Sequence, residues 1–243
     1  MTGKCALLDE TVRAHGGIEK WHAVRELIIS ATTGGVALPL RFQPSAFKSY
    51  KAQISTREFK TVIVPHPGKG KQGTFEGNTV RINSQDGQLI AERSNPRQFF
   101  KKLRRKIFWD NLDVLYFGGY ALWNYLNFPY LLLRPDIAIK EIEPWIEGEE
   151  KLRRLHALFP EEFPTHSTEQ VFYFNSDGLL VRHDYTAEVF GQWAKAAHYT
   201  MEHKEFGGLI FPTKRRVFPR QRSGHPLRML TLVSIDIDDV NVV

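Results

Sequence analysis

The spacing of hydrophobic residues changes along the chain and divides it into four parts. In the first part, Ala6 to Leu27, apolar residues recur every three or four positions, which predicts helix. These positions are Leu7, Leu8, Val12, Ile18, Trp21 and Val24. Gly16-Gly17 interrupts the pattern, and glycine weakens a helix interior. We therefore predict two short helices over residues 6–27.

From residue 28 to residue 94 the hydrophobic period is two, which is typical of β-strands. The strand candidates are Leu27 to Ala31, Phe47 to Ile54, Thr61 to Val64, Thr74 to Glu76, Thr79 to Asn83 and Leu89 to Arg93. Asp86-Gly87 separates the last two candidates, and Asp-Gly is a strong signal for a tight hairpin turn. We predict an antiparallel meander over residues 28–94.

Residues 98–133 form a third part without strand alternation. The segment begins with the basic run Lys101 to Lys106 and then becomes apolar and aromatic. Gly118-Gly119 and Pro129 are the only strong helix breakers that follow this run. We predict a helical plug over residues 98–133, with its helices broken at these two places.

The fourth part, residues 168–240, returns to strands as a second meander. Its strand candidates are Glu169 to Phe174, Leu179 to Glu188, Lys195 to His203, Leu209 to Phe218 and Met229 to Asp236. The two meanders together give about ten strands, and a sheet of that size curls or closes. The predicted fold class is mainly β (α+β). We expect a large curved antiparallel half-barrel sheet, with an N-terminal helix and a helical aromatic-rich plug, as a single domain over residues 1–243.

The order of these parts resembles a known superfamily. "AHGGIEKW" (Ala14 to Trp21) followed by "VRELIIS" is similar to the opening of many bacterial proteins of the LolA/LppX-like lipoprotein-carrier superfamily. "FWDNLDVLYFGGYALWNYL" and "GLLVRHDYTAEVFGQWAKAAHY" resemble stretches of a bacterial protein family of unknown function. The superfamily fold is a half-open β-barrel plugged by helices around an apolar cavity. The resemblance therefore implies that the chain binds a hydrophobic small molecule or lipid.

Aromatic residues are concentrated between Trp109 and Tyr130. Tyrosine and tryptophan combine an apolar body with a polar tip, so they suit a pocket for a largely apolar ligand. The competing interpretation is that these rings are ordinary core beneath the sheet. From this tract we take five candidate ligand-binding residues: Trp109, Tyr116, Tyr120, Trp123 and Tyr125.

A second group of candidates lies on the predicted strands. Alternation places His183 and Tyr185 on the face of Leu179 and Val181, and Asp184 on the opposite face. We expect His183 and Tyr185 to face the cavity, so His183 and Asp184 do not form a catalytic pair. The alternative function is a cofactor-free enzyme that acts on a hydrophobic substrate, with His183 and Tyr185 in acid-base chemistry. A hydrogen-bonded core histidine is the competing interpretation.

Two more histidines complete the candidate site. His198 and Tyr199 lie on the strand after the one that carries His183, where either could face inward, and His166 precedes a strand in "FPTHSTEQ". We take His198 and His166 as candidate ligand contacts, with His166 at the cavity mouth. The sequence has no glycine-rich phosphate loop, dinucleotide fingerprint or zinc-type histidine spacing. It therefore predicts no cofactor and no metal.

Two aspartates precede the aromatic tract. Asp110 and Asp113 lie one helical turn apart, a spacing that places their carboxylates on one face of a helix. They are candidates for paired carboxylates. Arg105 and Lys106 are close enough in sequence to make ordinary ion pairs with them instead.

Cysteine usage and the N-terminus bear on the cell compartment. The one cysteine, Cys5, excludes an intramolecular disulfide. The stretch from Met1 to Glu10, MTGKCALLDE, lacks the basic and then apolar run of a signal peptide. These two observations predict a cytoplasmic location.

The formal net charge is +6, and the basic residues cluster in Arg93 to Lys106 and in Lys214 to Arg228. Such clusters are compatible with anionic partners and are also typical of solvated surfaces. Nucleic acid is disfavoured, because the aromatic residues lie in apolar runs instead of alternating with basic residues.

The run Lys101 to Lys106 directly precedes an apolar stretch, a pairing that interfacial helices use on anionic membranes. Val114 to Leu133 is long enough to span a bilayer, but its Gly, Asn and Pro residues disfavour that interpretation.

Overall fold

One antiparallel sheet of thirteen strands runs through residues 5–243, the part of the chain that the computed structural model describes. Residues 1–4, which belong to the stretch on which the cytoplasmic prediction rests, lie outside the described residues. The strands are β1 (Glu26–Gly34), β2 (Tyr50–Ser55), β3 (Lys60–Val64), β4 (Lys71–Glu76), β5 (Thr79–Ser84), β6 (Leu89–Ser94), β7 (Ala138–Glu147), β8 (Glu150–Leu158), β9 (Glu169–Phe174), β10 (Leu180–Thr186), β11 (Lys195–Phe206), β12 (Leu209–Pro219) and β13 (Val233–Val242).

The two halves of the chain build the two halves of the sheet. The spatial order is β6-β5-β4-β3-β2-β1-β13-β12-β11-β10-β9-β8-β7, so β6 and β7 are the outer strands. The N-terminal half joins the C-terminal half where β1 pairs with β13, for example at Ile29 and Val240. The sheet is curved and does not close. This confirms the predicted half-barrel.

The helices are α1 (Ala6–Ala14), α2 (Ile18–Ala23), the short α3 (Pro96–Phe99) and α4 (Asn111–Leu126). The first two are separated at Gly16-Gly17, as the sequence predicts. They pack into the same hydrophobic core as α4, and the ring of Trp21 stacks on that of Tyr130 with centroids 4.2 Å apart.

Helix α4 is the plug that fills the inner face of the sheet. Every residue after Asn111 is buried, as expected for a helix that is apolar on all sides. Its N-terminus is capped by Asp110, whose Oδ1 accepts hydrogen bonds from the backbone N–H groups of Leu112 and Asp113, both at 3.0 Å. The Asp113 carboxylate accepts a bond from the Asp110 N–H in return. The cap fixes where the helix starts.

The predicted break at Gly118-Gly119 is wrong, because α4 continues through both glycines. A Cβ on Gly118 would lie 2.5 Å from Cε2 of Phe47, and one on Gly119 would overlap the side chain of Phe75. The two glycines therefore allow the rings of Phe47 and Phe75 to pack directly against the backbone of α4. The break at Pro129 is confirmed, since α4 ends at Leu126 and a 3₁₀ turn follows at Tyr130–Leu133.

The sequence did not predict the hairpin of β7 and β8. Strand β7 is an outer strand and is mostly exposed, so it lacks the regular apolar alternation that marks a half-buried strand. Pro144 and a register irregularity between Ile142 and Trp145 disturb its pattern further. The last predicted strand, Met229 to Asp236, is shifted along the chain to Val233–Val242.

The two aspartates before the aromatic tract form ion pairs. Asp113 is fully buried, and its carboxylate lies 2.6 Å from the Arg93 guanidinium and 2.7 Å from that of Arg105. Asp110 pairs with the same two arginines at 2.7 and 2.8 Å. Part of the basic run thus fixes the start of α4. Among residues 5–243 no helix has the combined length and apolar character needed to cross a membrane.

Candidate functional site

Four aromatic side chains from separate parts of the chain meet beneath the sheet. Tyr120 and Tyr125 come from α4, His166 from the connection between β8 and β9, and Tyr185 from β10. His166 Nδ1 lies 3.2 Å from the Tyr120 hydroxyl, and His166 Nε2 lies 2.8 Å from the Tyr125 hydroxyl. The Tyr125 and Tyr185 hydroxyls are 3.2 Å apart. We call these four residues the buried polar cluster.

Burial sets the ionisation of the buried polar cluster. It lowers the pKa of His166 to about 3 and raises that of Tyr125 to about 12. Burial also raises the pKa of Tyr120 and of Tyr185 well above the ordinary tyrosine value. The cluster is therefore uncharged at neutral pH. A neutral imidazole donates through one nitrogen and accepts through the other, which matches its two tyrosine partners.

His183 and His198 lie beside the buried polar cluster on neighbouring strands, where they are directly paired. His183 Nε2 is 2.6 Å from the side-chain oxygen of Gln170, and its ring stacks on Phe172 with centroids 4.3 Å apart. His198 is completely buried, and neither of its ring nitrogens has a hydrogen-bond partner. Burial lowers the pKa of both histidines well below the usual value.

The opposite face of β10 carries a separate ionic cluster. The Arg182 guanidinium lies 2.8 Å from the Asp184 carboxylate and 2.9 Å from that of Glu147. Asp184 also accepts a hydrogen bond from the Tyr173 hydroxyl at 2.9 Å. Asp184 thus bonds to Arg182 and Tyr173, and His183 bonds to Gln170.

The predicted aromatic candidates do not surround one cavity. Trp109 donates through Nε1 to the Arg105 carbonyl at 2.8 Å, and Trp123 donates to the Glu58 carbonyl at 2.7 Å. Tyr116 faces a polar cleft on the outside of α4. Of the five aromatic candidates, Tyr125 borders two small voids within the core. The nine predicted site residues are therefore spread along the plug and the second meander.

Two small voids remain between α4 and the sheet. The first, about 30 Å³, is lined by Tyr50, Phe117, Tyr125, Tyr185 and other residues. The second, about 10 Å³, borders Tyr125, His183 and Arg215. A water molecule needs at least about 10–15 Å³, so neither void holds more than one or two waters in this conformation. The plug fills most of the space inside the sheet.

A larger apolar pocket lies where the first void approaches the surface. We call it the mouth pocket, and its volume is about 290 Å³. Phe117 and Tyr185 form part of its wall, together with Val217 and Val233, and all four also line the first void. The remaining lining residues come from the β1–β2, β10–β11 and β12–β13 connections and the adjoining strands. They are Ala37, Leu40, Arg41, Ala187, Phe190, Trp193, Ala194, Lys195, Ala196, Pro219, Arg220, Leu230 and Leu232.

The rim of the mouth pocket is both apolar and cationic. Leu40 and Trp193 are exposed by 62% and 75%, so large apolar side chains extend from the pocket to the surface. Arg41, Lys195 and Arg220 line the pocket and no Asp or Glu does, although Arg220 Nε also lies 3.5 Å from the Asp184 carboxylate behind the wall. The geometry suits an apolar molecule with a neutral or negative polar end.

A second, more open cleft of about 880 Å³ lies on the other side of α4. Its lining includes Arg97, Lys101, Glu161, Glu162 and Glu188. Arg97 and Glu188 form an ion pair at 2.5 Å. Because charged side chains of both signs border this cleft, it is a poorer site for an apolar ligand than the mouth pocket.

The sequence interpretation missed two kinds of residue. Phe117, Phe190 and Trp193 border the mouth pocket, but two of them lie in a turn-rich connection that carries no strand pattern. Arg215 was included in a basic cluster interpreted as a surface. Its alternation with Phe211 and Val217 along β12 places it on the inner face, and that signal was available in the sequence.

No family model matches the chain, and no curated protein matches it. Solved structures do match. A DUF1329 family protein from Desulfovibrio piger is 13% identical, with 98% of this chain and 92% of that chain covered and a TM-score of 0.52. A putative outer membrane lipoprotein-sorting protein domain from Vibrio parahaemolyticus is 8% identical, with 97% and 90% covered and a TM-score of 0.53. A LolA superfamily protein from Nitrosomonas europaea is 12% identical, with 93% and 91% covered and a TM-score of 0.49.

These structures correct one prediction. The cytoplasmic location is wrong, because the chain shares its fold with a structure described as a putative outer membrane lipoprotein-sorting protein domain.

At these identities the likeness concerns the fold alone. It extends over more than nine tenths of this chain for the Desulfovibrio and Vibrio proteins. The curved, unclosed antiparallel sheet is the half-barrel that the sequence resemblance implied. The chain therefore shares its fold with the DUF1329 family protein and with the putative lipoprotein-sorting protein domain.

Proposed function

We propose that the chain binds a hydrophobic small molecule or lipid in the mouth pocket, at the end of the space between the curved sheet and α4. The observation that carries this proposal is the apolar pocket of about 290 Å³. Ligand pockets are mostly apolar, with a few polar groups, and measure about 300–1,000 Å³. The mouth pocket, at about 290 Å³, lies just below that range.

The description of one structural neighbour supports the same ligand class. The Vibrio protein is described as lipoprotein-sorting, and a lipoprotein presents acyl chains to whatever carries it. An acyl chain requires apolar walls such as those of Phe117, Phe190 and Leu232. Burial of apolar surface contributes about 25 cal/mol per Å², so the pocket walls supply the main binding energy.

The first test is to identify what the purified protein carries. Native mass spectrometry followed by organic extraction is expected to detect a bound apolar molecule. Titration calorimetry with dodecan-1-ol then measures binding to protein stripped of ligand. If the protein carries nothing and takes up no dodecan-1-ol, the proposal fails.

A pocket-filling variant tests the location of the site. Ala187 lines the mouth pocket, and Ala187→Trp places a large ring inside it. We expect at least a tenfold loss of affinity for dodecan-1-ol. Ala138→Trp is the matched control, because Ala138 is exposed on the outer strand β7. Unchanged affinity in Ala187→Trp would assign the ligand to another place.

The surroundings of His183 and Tyr185 are unfavourable for the acid-base catalysis that the enzymatic alternative requires. The Gln170 side chain is hydrogen-bonded to His183, and burial lowers the pKa of His183 well below the usual value. An efficient general base has a pKa near the working pH. The Tyr185 hydroxyl is directed to Tyr125. These contacts favour the binding function.

We also propose a peripheral contact with anionic membrane. The apolar part of this contact is not the stretch after Lys106, as in the interfacial helix that the sequence suggested, but a set of exposed side chains near it. The apolar stretch after Lys106 is buried as α4. Four exposed apolar side chains lie before and beside it: Phe42, Leu103, Ile107 and Phe108. Phe42 and Phe108 stack at 4.4 Å. With exposed Lys101, Lys102, Arg104 and Lys106 they form a surface that we call the basic-apolar face. Phe42 directly follows Arg41 of the mouth pocket.

A further inference from the structure

Arg215 is a buried cation without a carboxylate partner. Its side chain lies on the inner face of β12 and is 2% exposed. Its Nη2 donates to the backbone carbonyl of Tyr125 at 3.2 Å, and the guanidinium lies over the Tyr125 ring, 4.8 Å from the centroid. Its Nε has no hydrogen-bond partner. Within residues 5–243, no Asp or Glu forms an ion pair with Arg215.

The other buried arginine within residues 5–243, Arg182, is neutralised. It is 0% exposed and pairs with Asp184 and Glu147. The partly buried Arg93 likewise pairs with Asp113 and Asp110. Burying a charge without a partner is costly. Burial lowers the pKa of Arg215 to about 10, so the group is still protonated at neutral pH. Arg215 thus lacks the anion that the comparable residues have.

Unsatisfied hydrogen-bonding groups surround the same place. His198 pairs with Val217, and Thr200 pairs with Arg215, so His198 and Arg215 are diagonal neighbours on the inner face. Both ring nitrogens of His198 are buried without partners. The Tyr125 ring contacts both, with its centroid 4.7 Å from that of His198. A ligand with an acidic oxygen would satisfy several of these groups at once.

The three empty spaces lie in series between solvent and Arg215. The mouth pocket shares Phe117, Tyr185, Val217 and Val233 with the first void. The first void shares Tyr125 with the second, which Arg215 lines. Val217 and Arg215 are two positions apart on the same face of β12. Residues with this spacing are separated by about 7 Å along a strand. The residues that border two of the three spaces are Phe117, Tyr185, Val217, Val233 and Tyr125.

We propose that the ligand of this protein is an amphiphilic acid whose carboxylate pairs with Arg215 while its apolar chain runs outward into the mouth pocket. The inference rests on the proposed binding function and adds the chemistry of the head group. Entry requires the rings of Tyr125 and Tyr185 to rotate, which joins the voids. A charged pair held by hydrogen bonds in a buried site is stronger than a neutral contact, so a neutral ligand of equal chain length is bound more weakly.

The test compares dodecanoic acid with dodecan-1-ol at pH 7.5 by titration calorimetry on ligand-free protein. We expect the acid to bind at least tenfold more tightly than the alcohol. In Arg215→Met, which keeps an unbranched apolar stem and removes the guanidinium, this ratio is expected to fall to near one. Arg216→Met is the matched control, because Arg216 lies on the opposite face and pairs with Asp236 at 2.8 Å. The control is expected to keep the ratio of the wild type.

The outcomes separate the two proposals. If neither compound binds the wild type, the proposed function fails and the inference fails with it. If both bind with equal affinity, the binding function stands and the acidic head group is refuted. Preference for the acid that persists in Arg215→Met also refutes the pairing with Arg215. If Arg215→Met does not fold, Arg215→Lys takes its place. It keeps a positive charge and is expected to keep the preference of the wild type for dodecanoic acid over dodecan-1-ol. Loss of that preference in a folded Arg215→Lys would refute pairing through the positive charge.

Discussion

The imidazole of His166 lies flat on the phenol ring of Tyr185, with the centroids 3.9 Å apart and the planes inclined by 8°. Both nitrogens of the same imidazole are directed to other tyrosines, Tyr120 and Tyr125. In the ligand-free protein these contacts hold together four rings from the plug, one connection and the sheet. The arrangement depends on an uncharged imidazole, because a protonated ring has no acceptor for the tyrosine hydroxyls.

The folded protein is expected to lose stability as the pH falls below about 6.5. Burial lowers the pKa of His166 to about 3 and that of His15 to about 4. Unfolding returns each group to its ordinary value of 6.5. The unfolded state therefore binds more protons between these values. Each such histidine decreases the free energy of unfolding by about 1.4 kcal/mol per pH unit in that window.

Thermal melting at pH 7.5, 6.5 and 5.5 measures this effect. We expect little change between the first two values and a clear decrease at the third. His166→Gln is expected to reduce the decrease, while the control His22→Gln, at an exposed position, leaves it unchanged. A melting temperature that is constant down to pH 5.5 would contradict the burial of neutral histidines.

Gly118→Ala is expected to destabilise the protein, although alanine is the better helix former by about 1 kcal/mol. The added Cβ lies 2.5 Å from the ring of Phe47, and overpacking a core costs about 1–3 kcal/mol. Chemical denaturation measures the difference. Phe47→Leu removes the tip of the ring, so the double variant is expected to lose less than the sum of the single changes. An increase in stability for Gly118→Ala would contradict the close approach.

Arg182→Met and Arg215→Met are expected to change stability in opposite directions in the ligand-free protein. Removing Arg182 leaves the buried carboxylate of Asp184 without its main partner, and breaking such a pair costs about 3–5 kcal/mol. Removing Arg215 eliminates an unpaired buried charge and is expected to be neutral or stabilising by about 1 kcal/mol or more. Equal destabilisation by the two changes, measured by denaturant unfolding, would show that Arg215 has a compensating partner.

Sedimentation with liposomes tests the basic-apolar face. Binding is expected to vesicles that contain anionic lipid and to decrease with salt, because each basic residue contributes about 1 kcal/mol near such a surface. The double change Lys101→Gln and Lys102→Gln is expected to weaken binding at least tenfold. Lys140→Gln with Lys151→Gln, on the β7–β8 hairpin, is the control. Equal binding to neutral vesicles would remove the membrane proposal.

Much of the architecture was predictable because it depends on local patterns. The two short helices, both meanders and the plug follow from apolar spacing and turn residues. Gly118-Gly119 was misinterpreted, because the reason for the glycines lies in the distant ring of Phe47. The β7–β8 hairpin was missed because an exposed outer strand needs no alternation. The prediction of a single domain stays a prediction.

The site was less predictable than the fold. Strand alternation correctly gave His183 and Tyr185 a common face. It did not indicate how tightly α4 fills the interior, since packing depends on the shapes of side chains from distant segments. The mouth pocket depends on three connections that approach one another only in the folded chain. The ligand-binding roles of the nine candidate residues stay predictions.

The outer position of β7 has a consequence for the tendency of the protein to aggregate. A half-barrel leaves strand edges free, and a free edge invites pairing with another chain. β7 carries Lys140, Glu141 and Glu143 on this edge, and Pro144 removes one backbone donor within a local irregularity. These features oppose the addition of another strand to this edge in regular register. The sheet thus stays open on the β7 side without presenting a regular template for pairing.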